Sequence, residues 1–257
     1  MHNLLHQVWK LALSVSLMVA LLNVNTANAE GEPASKRIAI VIDDMGNDMT
    51  GTKEMMELPI PFTAAVMPFL PTTKRDAEWA HRLGHDVLIH MPMEPVRGKK
   101  SWLGPGAITT DLPDEEIRKR VLAAIEDVPF AIGMNNHMGS KVTADPRVMR
   151  IVLEVCKEKN LIYLDSKTSH KSVVKKLAEE IGVRTGENNI FMDDIYSRDH
   201  IVKQALKVQK YMDQHEATVV IGHVGPPGKH TAAVLKQSIP TLQKMGGQFV
   251  TISKLVP

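Results

Sequence analysis

The sequence predicts an α/β fold built on a mostly parallel sheet, and three observations carry that reading. Seven short apolar runs rich in β-branched residues recur along the chain, amphipathic stretches of helical period separate them, and several of the runs end in titratable side chains. Strands that alternate with helices need crossover connections, so neighbouring strands run parallel, either in an open doubly wound sheet or in a barrel. No Gly/Ser-rich linker or internal repeat interrupts residues 30–257, which read as one domain. Both parallel architectures place their chemistry at the C-terminal ends of the strands.

The strand runs are residues 38–42, 63–67, 86–90, 130–134, 161–164, 218–221 and 248–252. The first, Ile38-Ala39-Ile40-Val41-Ile42, is apolar throughout, as expected of a strand covered on both faces. Helical stretches fall at 73–83, 113–127, 146–159, 169–181, 198–215 and 231–245. Two of them carry start signals: acids at Asp114, Glu115 and Glu116 suit a first turn, and Asp145 before Pro146 reads as an N-cap followed by proline at the first helical position.

Composition narrows the function. The 257 residues are 44% hydrophobic and 23% charged, which excludes a disordered chain, a collagen or a coiled coil. A net charge of +2 is too small to imply a polyanionic partner, so nucleic acid is not expected. Aromatic residues make up only 4%, too few for a long polysaccharide groove lined with stacking rings. Cys156 is the only cysteine, so no internal disulfide forms, and its place on the stripe Val148, Ile151, Val152 and Val155 marks it as a packing residue.

Residues 1–29 read as a secretory signal peptide, with Lys10, an apolar run from Leu11 to Leu22 and an A-x-A site at Ala27-Asn28-Ala29. That run is 12 residues long, short of the roughly 20 that a membrane span needs. An uncleaved tether is the alternative. Either reading places the rest of the protein outside the cytoplasm, in the periplasm or beyond the cell, with no stable membrane span after cleavage.

The strand ends hold the candidate chemistry. Asp43 and Asp44 follow the first strand, and adjacent carboxylates there call for a cation or a protonated partner. His90 ends the third strand with Glu94 four residues later, a pairing of imidazole and carboxylate that suits zinc and its neighbours. Asn135, Asn136 and His137 follow the fourth strand in what reads as a site loop, Asp165 ends the fifth, and His223 opens a stiff Gly/Pro-rich loop after the sixth. An Asp pair and three histidines on one rim match the needs of metal-assisted hydrolysis: three ligands, an open position, a base and an acid. Trp102, in a Gly/Pro-rich loop beyond the third strand, reads either as an aromatic presented to a sugar or as a packing residue.

These motifs resemble the polysaccharide deacetylase superfamily, and most closely its divergent branch of exported bacterial proteins, over roughly Lys36 to Pro257. The resemblance implies the NodB-type distorted (β/α) barrel. Ile42-Asp43-Asp44-Met45-Gly46 is similar to the family's hydrophobic-D-D-G motif with one residue inserted, which makes Asp43 the catalytic base and Asp44 a metal ligand. Residues 84–94 follow the G-H-E-I-x-x-H-[ST]-x-x-H motif until its end, so His90 matches the first ligand histidine while Glu94 stands in place of the second. His137 is the preferred replacement, giving Asp44, His90 and His137 as ligands, with Glu94 replacing or supporting one of them as the alternative.

Asn135 and Asn136 occupy the region of the family's R-x-P-x-G motif, whose arginine orients the aspartate base. Asp165 resembles the acidic residue that holds the site together, and His223 matches the general acid. Glu94, Asn135, Asn136 and Trp102 are the expected substrate-side residues. The implied activity is removal of an N-acetyl or related acyl group from a cell-envelope carbohydrate by water activated at a divalent metal, zinc above all. The alternative is a non-catalytic envelope module that binds a glycan or a protein on the same fold.

Overall fold

The computed structural model describes residues 36–256, so the expected signal segment at 1–29 lies outside the described residues. Nine strands form one sheet: β1 (Lys36–Met45), β2 (Thr63–Val66), β3 (Asp86–Met93), β4 (Ala131–Met138), β5 (Ile162–Asp165), β6 (Thr185–Glu187), β7 (Ile190–Phe191), β8 (Ala217–His223) and β9 (Gly247–Val250). The helices are α1 (Thr52–Met56), α2 (Thr73–Arg82), α3 (Asp114–Asp127), α4 (Pro146–Glu158), α5 (Val174–Ile181), α6 (Arg198–Gln214) and α7 (Gly228–Lys244). Among the described residues no helix is long and apolar enough to cross a membrane.

All the pairings between these strands are parallel, in the order β6-β5-β4-β3-β2-β1-β8-β7. β9 and β2 share one edge of β1, β9 along Lys36 to Ala39 and β2 from Val41 onward. The two ends of the sheet, β6 and β7, are consecutive in the chain. Their link, Asn188-Asn189, spans the gap: Asn188 N donates to Asp165 O at 2.9 Å and Asn189 N to Val219 O at 3.0 Å. The sheet is therefore curled into a half-barrel whose open seam is bridged by two residues.

Strand alternation sorts the side chains into two cores. Ile38, Ile40 and Ile42 join the large core beneath the helices, with Val148, Val152 and Leu153 of α4 and Leu235 of α7. Ala39, Val41, Leu88, Ile162, Leu164, Val219 and Ile221 meet on the concave side. Ile252 and Val256 complete that second core at the N-terminal end of the strands, where Ile252 N donates to Thr63 Oγ1 at 3.0 Å and Ser253 N to Asp86 Oδ2 at 2.8 Å. The same parity carried one step further puts Asp43, His90, Asn135 and His223 in a polar layer above this apolar plug.

Each of the seven expected runs is a strand, but four, β1, β3, β4 and β8, run well past their expected ends, and β8 takes in His223, correcting its expected place at the start of a loop. β3 and β4 stay paired as far as Met93 opposite Met138, so Asn135, Asn136 and His137 are strand residues, correcting their expected place in a loop. β1 passes through Asp43 and Asp44 to Met45. α5 starts at Val174 rather than near Ser169, because the Ser172 hydroxyl donates to Asp165 Oδ2 and Val173 N donates to Thr143 O. The α4 cap is as expected: the Asp145 side chain accepts from Arg147 N and Val148 N ahead of Pro146.

Candidate active site

The site begins with a break in the β1 alternation. Asp44 has φ of 67°, and the register against β2 shifts between Ile42 and Met45. Aspartate tolerates this left-handed conformation better than most residues. With alternation broken, both carboxylates approach one imidazole: Asp44 Oδ1 lies 3.2 Å and Asp43 Oδ2 3.6 Å from His90 Nε2. The next turn is held by Asp76, fully buried, whose Oδ2 accepts from Gly46 N at 3.0 Å. Gly46 has φ of 114°, and a Cβ there would stand 2.9 Å from Met67 O, so the turn needs glycine.

Three donor atoms then converge. Asp44 Oδ1 is 2.9 Å from His137 Nδ1 and 3.2 Å from His90 Nε2, and the two nitrogens are 3.2 Å apart. The outer nitrogens face acceptors: His90 Nδ1 meets Asn135 Oδ1 at 2.8 Å, and His137 Nε2 meets the Trp102 carbonyl at 3.1 Å. An N–H on each outer nitrogen leaves both inner nitrogens with lone pairs aimed at the carboxylate oxygen, a grouping that a cation must compensate. Two nitrogens and one oxygen suit zinc and its first-row neighbours, so the residues fit a divalent metal. Burial opposes charge on both Asp44 and His90, yet His137 and His90 hold the Asp44 carboxyl well below the usual range, and Asp43 and Asp44 raise His90.

Asp43 stands beside this group, 1% exposed. Its Oδ1 accepts from Asn135 Nδ2 at 2.9 Å. Burial raises its pKa, outweighing the opposing pull of His90 and His223. On the adjacent strand, in register with Asp43, is His223. Its Nδ1 lies 2.7 Å from Asp193 Oδ1, while Asp193 Oδ2 accepts from His223 N at 2.9 Å and from Thr231 Oγ1 at 2.6 Å. Burial disfavours the imidazolium, but the hydrogen bond to Asp193 and the charge of Asp44 prevail and push its pKa up to about 10. His223 therefore carries a proton at neutral pH.

These groups open into one cavity of about 530 Å³, whose wall includes Asp43, Asp44, His90, His137 and His223. Trp102, 57% exposed, stands on its rim. Two other expected residues are placed elsewhere. Glu94 is engaged by Lys141 Nζ at 2.8 Å and by Thr110 N and Oγ1 at 3.0 Å, so it takes no part in the ligand group and does not line the cavity. Asp165 falls on the opposite strand parity from Leu164, where its carboxylate accepts from Lys167 N at 2.8 Å and Ser172 Oγ at 2.6 Å and holds the β5–α5 loop.

The two asparagines divide. Asn136 reaches the cavity wall, but its amide is spent on Met138 O at 2.7 Å and Ser166 N at 3.0 Å. Asn135 is fully buried, with both ends of its amide bonded inside the protein, which corrects its expected place against the substrate.

Asp193, Asp194, Phe191 and Tyr196 also line the cavity and escaped the sequence reading. A signal was present. Ile190-Phe191-Met192 before Asp193-Asp194 repeats, in shorter form, the apolar run and Asp pair of β1. β7 has only two residues, too few to show a period.

Comparison with known proteins places this geometry in a family. Residues 40–256 match the family model described as divergent polysaccharide deacetylase. A Haemophilus influenzae relative, an uncharacterized protein, is 36% identical over 209 residues, covering 81% of this chain and 73% of its own. Among solved structures, the uncharacterized protein ATU2773 from Agrobacterium tumefaciens C58 aligns with a TM-score of 0.80 at 20% identity, over 88% of this chain and 91% of that one. The Xyl-CE4 domain of a multidomain xylanase from the hindgut metagenome of Trinervitermes trinervoides aligns with a TM-score of 0.53 at 14% identity, over 86% and 89%. At such identities the structural likenesses show the fold alone: the curled half-barrel is the (β/α) barrel of the CE4 and NodB type. With the family model matched over nearly all the described residues, the chain belongs to the divergent polysaccharide deacetylase family.

Proposed function

We propose that this protein is a metal-dependent hydrolase that removes an N-acetyl or related acyl group from a cell-envelope carbohydrate. The observation that carries the reading is the convergence of Asp44 Oδ1, His90 Nε2 and His137 Nδ1 within 3.2 Å, beside Asp43 and in the same cavity as His223. Asp44, His90 and His137 would hold the metal, and the nitrogen-rich set favours zinc. When bound, such an ion polarises an acyl carbonyl and acidifies water.

The protein's own groups supply the proton transfers. Asp43 keeps Oδ1 on Asn135 and has Oδ2 left to take a proton from the attacking water. Its raised pKa brings it closer to the working pH of a general base. His223, held through Nδ1 by Asp193, keeps Nε2 to protonate the departing amine. Trp102 on the rim offers a ring face to a sugar, and a cavity of about 530 Å³ suits a short acylated glycan rather than a long polymer. The signal-like residues 1–29 support an envelope location.

The test is Asp43→Asn, assayed on N-acetylated chitooligosaccharides, peptidoglycan fragments and aryl acetates, with zinc binding measured alongside. Zinc binding is expected to persist while turnover falls by about 10² or more. An Asp43→Asn variant with parental turnover refutes the mechanism. A parent that binds zinc and chitooligosaccharide but releases no acetate from any of these substrates identifies a binding module instead.

A further inference from the structure

We propose that Asn135 is a positioning residue for both halves of the site, its single neutral amide setting which nitrogen of His90 faces the metal position and where the Asp43 carboxylate stands. This rests on the reading of the site given above. Asn135 is paired in register with His90 across β3 and β4, and its side chain reaches across the barrel mouth to Asp43 on β1. Asn135 Nδ2 donates to Asp43 Oδ1 at 2.9 Å and lies 3.4 Å from Ser166 Oγ, while Asn135 Oδ1 lies 2.8 Å from His90 Nδ1.

The sense of the amide follows from its neighbours. A carboxylate only accepts, so the NH₂ group faces Asp43 and the oxygen faces His90. An amide oxygen also only accepts, so His90 Nδ1 must carry a hydrogen. In the neutral ring Nε2 is then bare, and Nε2 is the atom 3.2 Å from both Asp44 Oδ1 and His137 Nδ1. One hydrogen-bonded chain thus runs from the base through the amide to the ligand histidine. With 0% exposure and every polar atom engaged, Asn135 is not available to a substrate.

Two variants separate the halves of the proposal. Asn135→Asp keeps an acceptor for His90 but loses the donor to Asp43; Asn135→Leu loses both. In the metal-free protein at mildly alkaline pH, long-range ¹H–¹⁵N spectra should show the His90 proton on Nδ1 in the parent and in Asn135→Asp. Asn135→Leu should show a mixture of tautomers. Zinc affinity, read by competition with a chelating dye, should drop about 10- to 100-fold in Asn135→Leu and be no weaker than the parent in Asn135→Asp. Turnover should fall at least about tenfold in both. A parent His90 protonated on Nε2, or an Asn135→Leu protein with parental tautomer and zinc affinity, overturns the proposal. If Asn135→Leu does not fold, Asn135→Asp and the parent spectrum decide it. A parent that binds no zinc refutes the proposed function, while the tautomer, measured without metal, still judges this inference.

Discussion

Replacing Asp193 with asparagine tests the charge arrangement behind His223 most directly, because one fully buried carboxylate accepts three hydrogen bonds. Asparagine has one side-chain oxygen. If that oxygen keeps His223 Nδ1, the NH₂ group faces the His223 backbone N–H, which donates to Asp193 Oδ2 in the parent, so two donors then oppose each other. A buried donor left unmatched costs about 1–3 kcal/mol, and loss of a charge-assisted bond adds about 1.5–3 kcal/mol. Asp193→Asn should therefore lose about 3–5 kcal/mol of stability near neutral pH.

The proton on His223 should move as well. Burial opposes its charge, and Asp193, Asp44 and Asp43 together override burial to reach about 10. Without the Asp193 carboxylate, His223 should titrate at least about two units lower. The sign for stability follows. In the parent the folded pKa lies above the unfolded value of roughly 6.5, so the contribution is complete below pH 6.5 and disappears as pH rises through about 10. The variant should lack much of that alkaline loss. NMR titration of the His223 ring, with urea denaturation at neutral and alkaline pH, measures both effects. A parent His223 that titrates near its ordinary value, or equal pKa values in the two proteins, refutes the reasoning.

Three further outcomes are expected. Gly133→Ala should lower the urea midpoint by an amount worth about 1–3 kcal/mol, because its Cβ would stand 2.4 Å from Ile162 Cγ1 and 2.7 Å from Ile162 O inside the barrel; an unchanged midpoint would show that the interior is not packed as described. His85 is 8% exposed, its ring centroid is 3.8 Å from that of Phe62, its Nδ1 accepts from Phe62 N at 3.3 Å, and burial lowers its pKa to about 4 despite Asp86. The folded protein thus binds fewer protons here than the unfolded chain between pH 6.5 and about 4, and up to about 3 kcal/mol should be lost as pH falls through that window. His85→Gln should flatten this acid loss in urea titrations. Cys156, fully buried and pushed up to about 12 by burial, should resist aromatic disulfide reagents in the native protein and react at the rate of unfolding; rapid native labelling would contradict that burial.

What the sequence determined by itself was the local part. Apolar runs of four to eight residues with intervening amphipathic periods are properties of neighbouring residues, so β1 to β5, β8 and β9 could be read, along with the parallel arrangement and the titratable residues at the strand ends. The convergence of Asp44, His90 and His137 was legible through the resemblance. Tertiary structure decided what depends on pairing across the chain. β6 and β7, three and two residues long, exist as strands only because β5 and β8 lie beside them. Asp193 meets His223 thirty positions away, and Asn135 meets Asp43 across ninety-two. Parity separated residues that look alike in the sequence: Asp43 shares the concave side with Val41, whereas Asp165 shares the outer side with Tyr163 and leaves the site. Glu94 was free to be a ligand until Lys141 and Thr110 claimed its oxygens. A carboxylate bonds whichever donors the fold brings within 3 Å, and that proximity is set by strand register and curvature, which no local stretch of sequence contains.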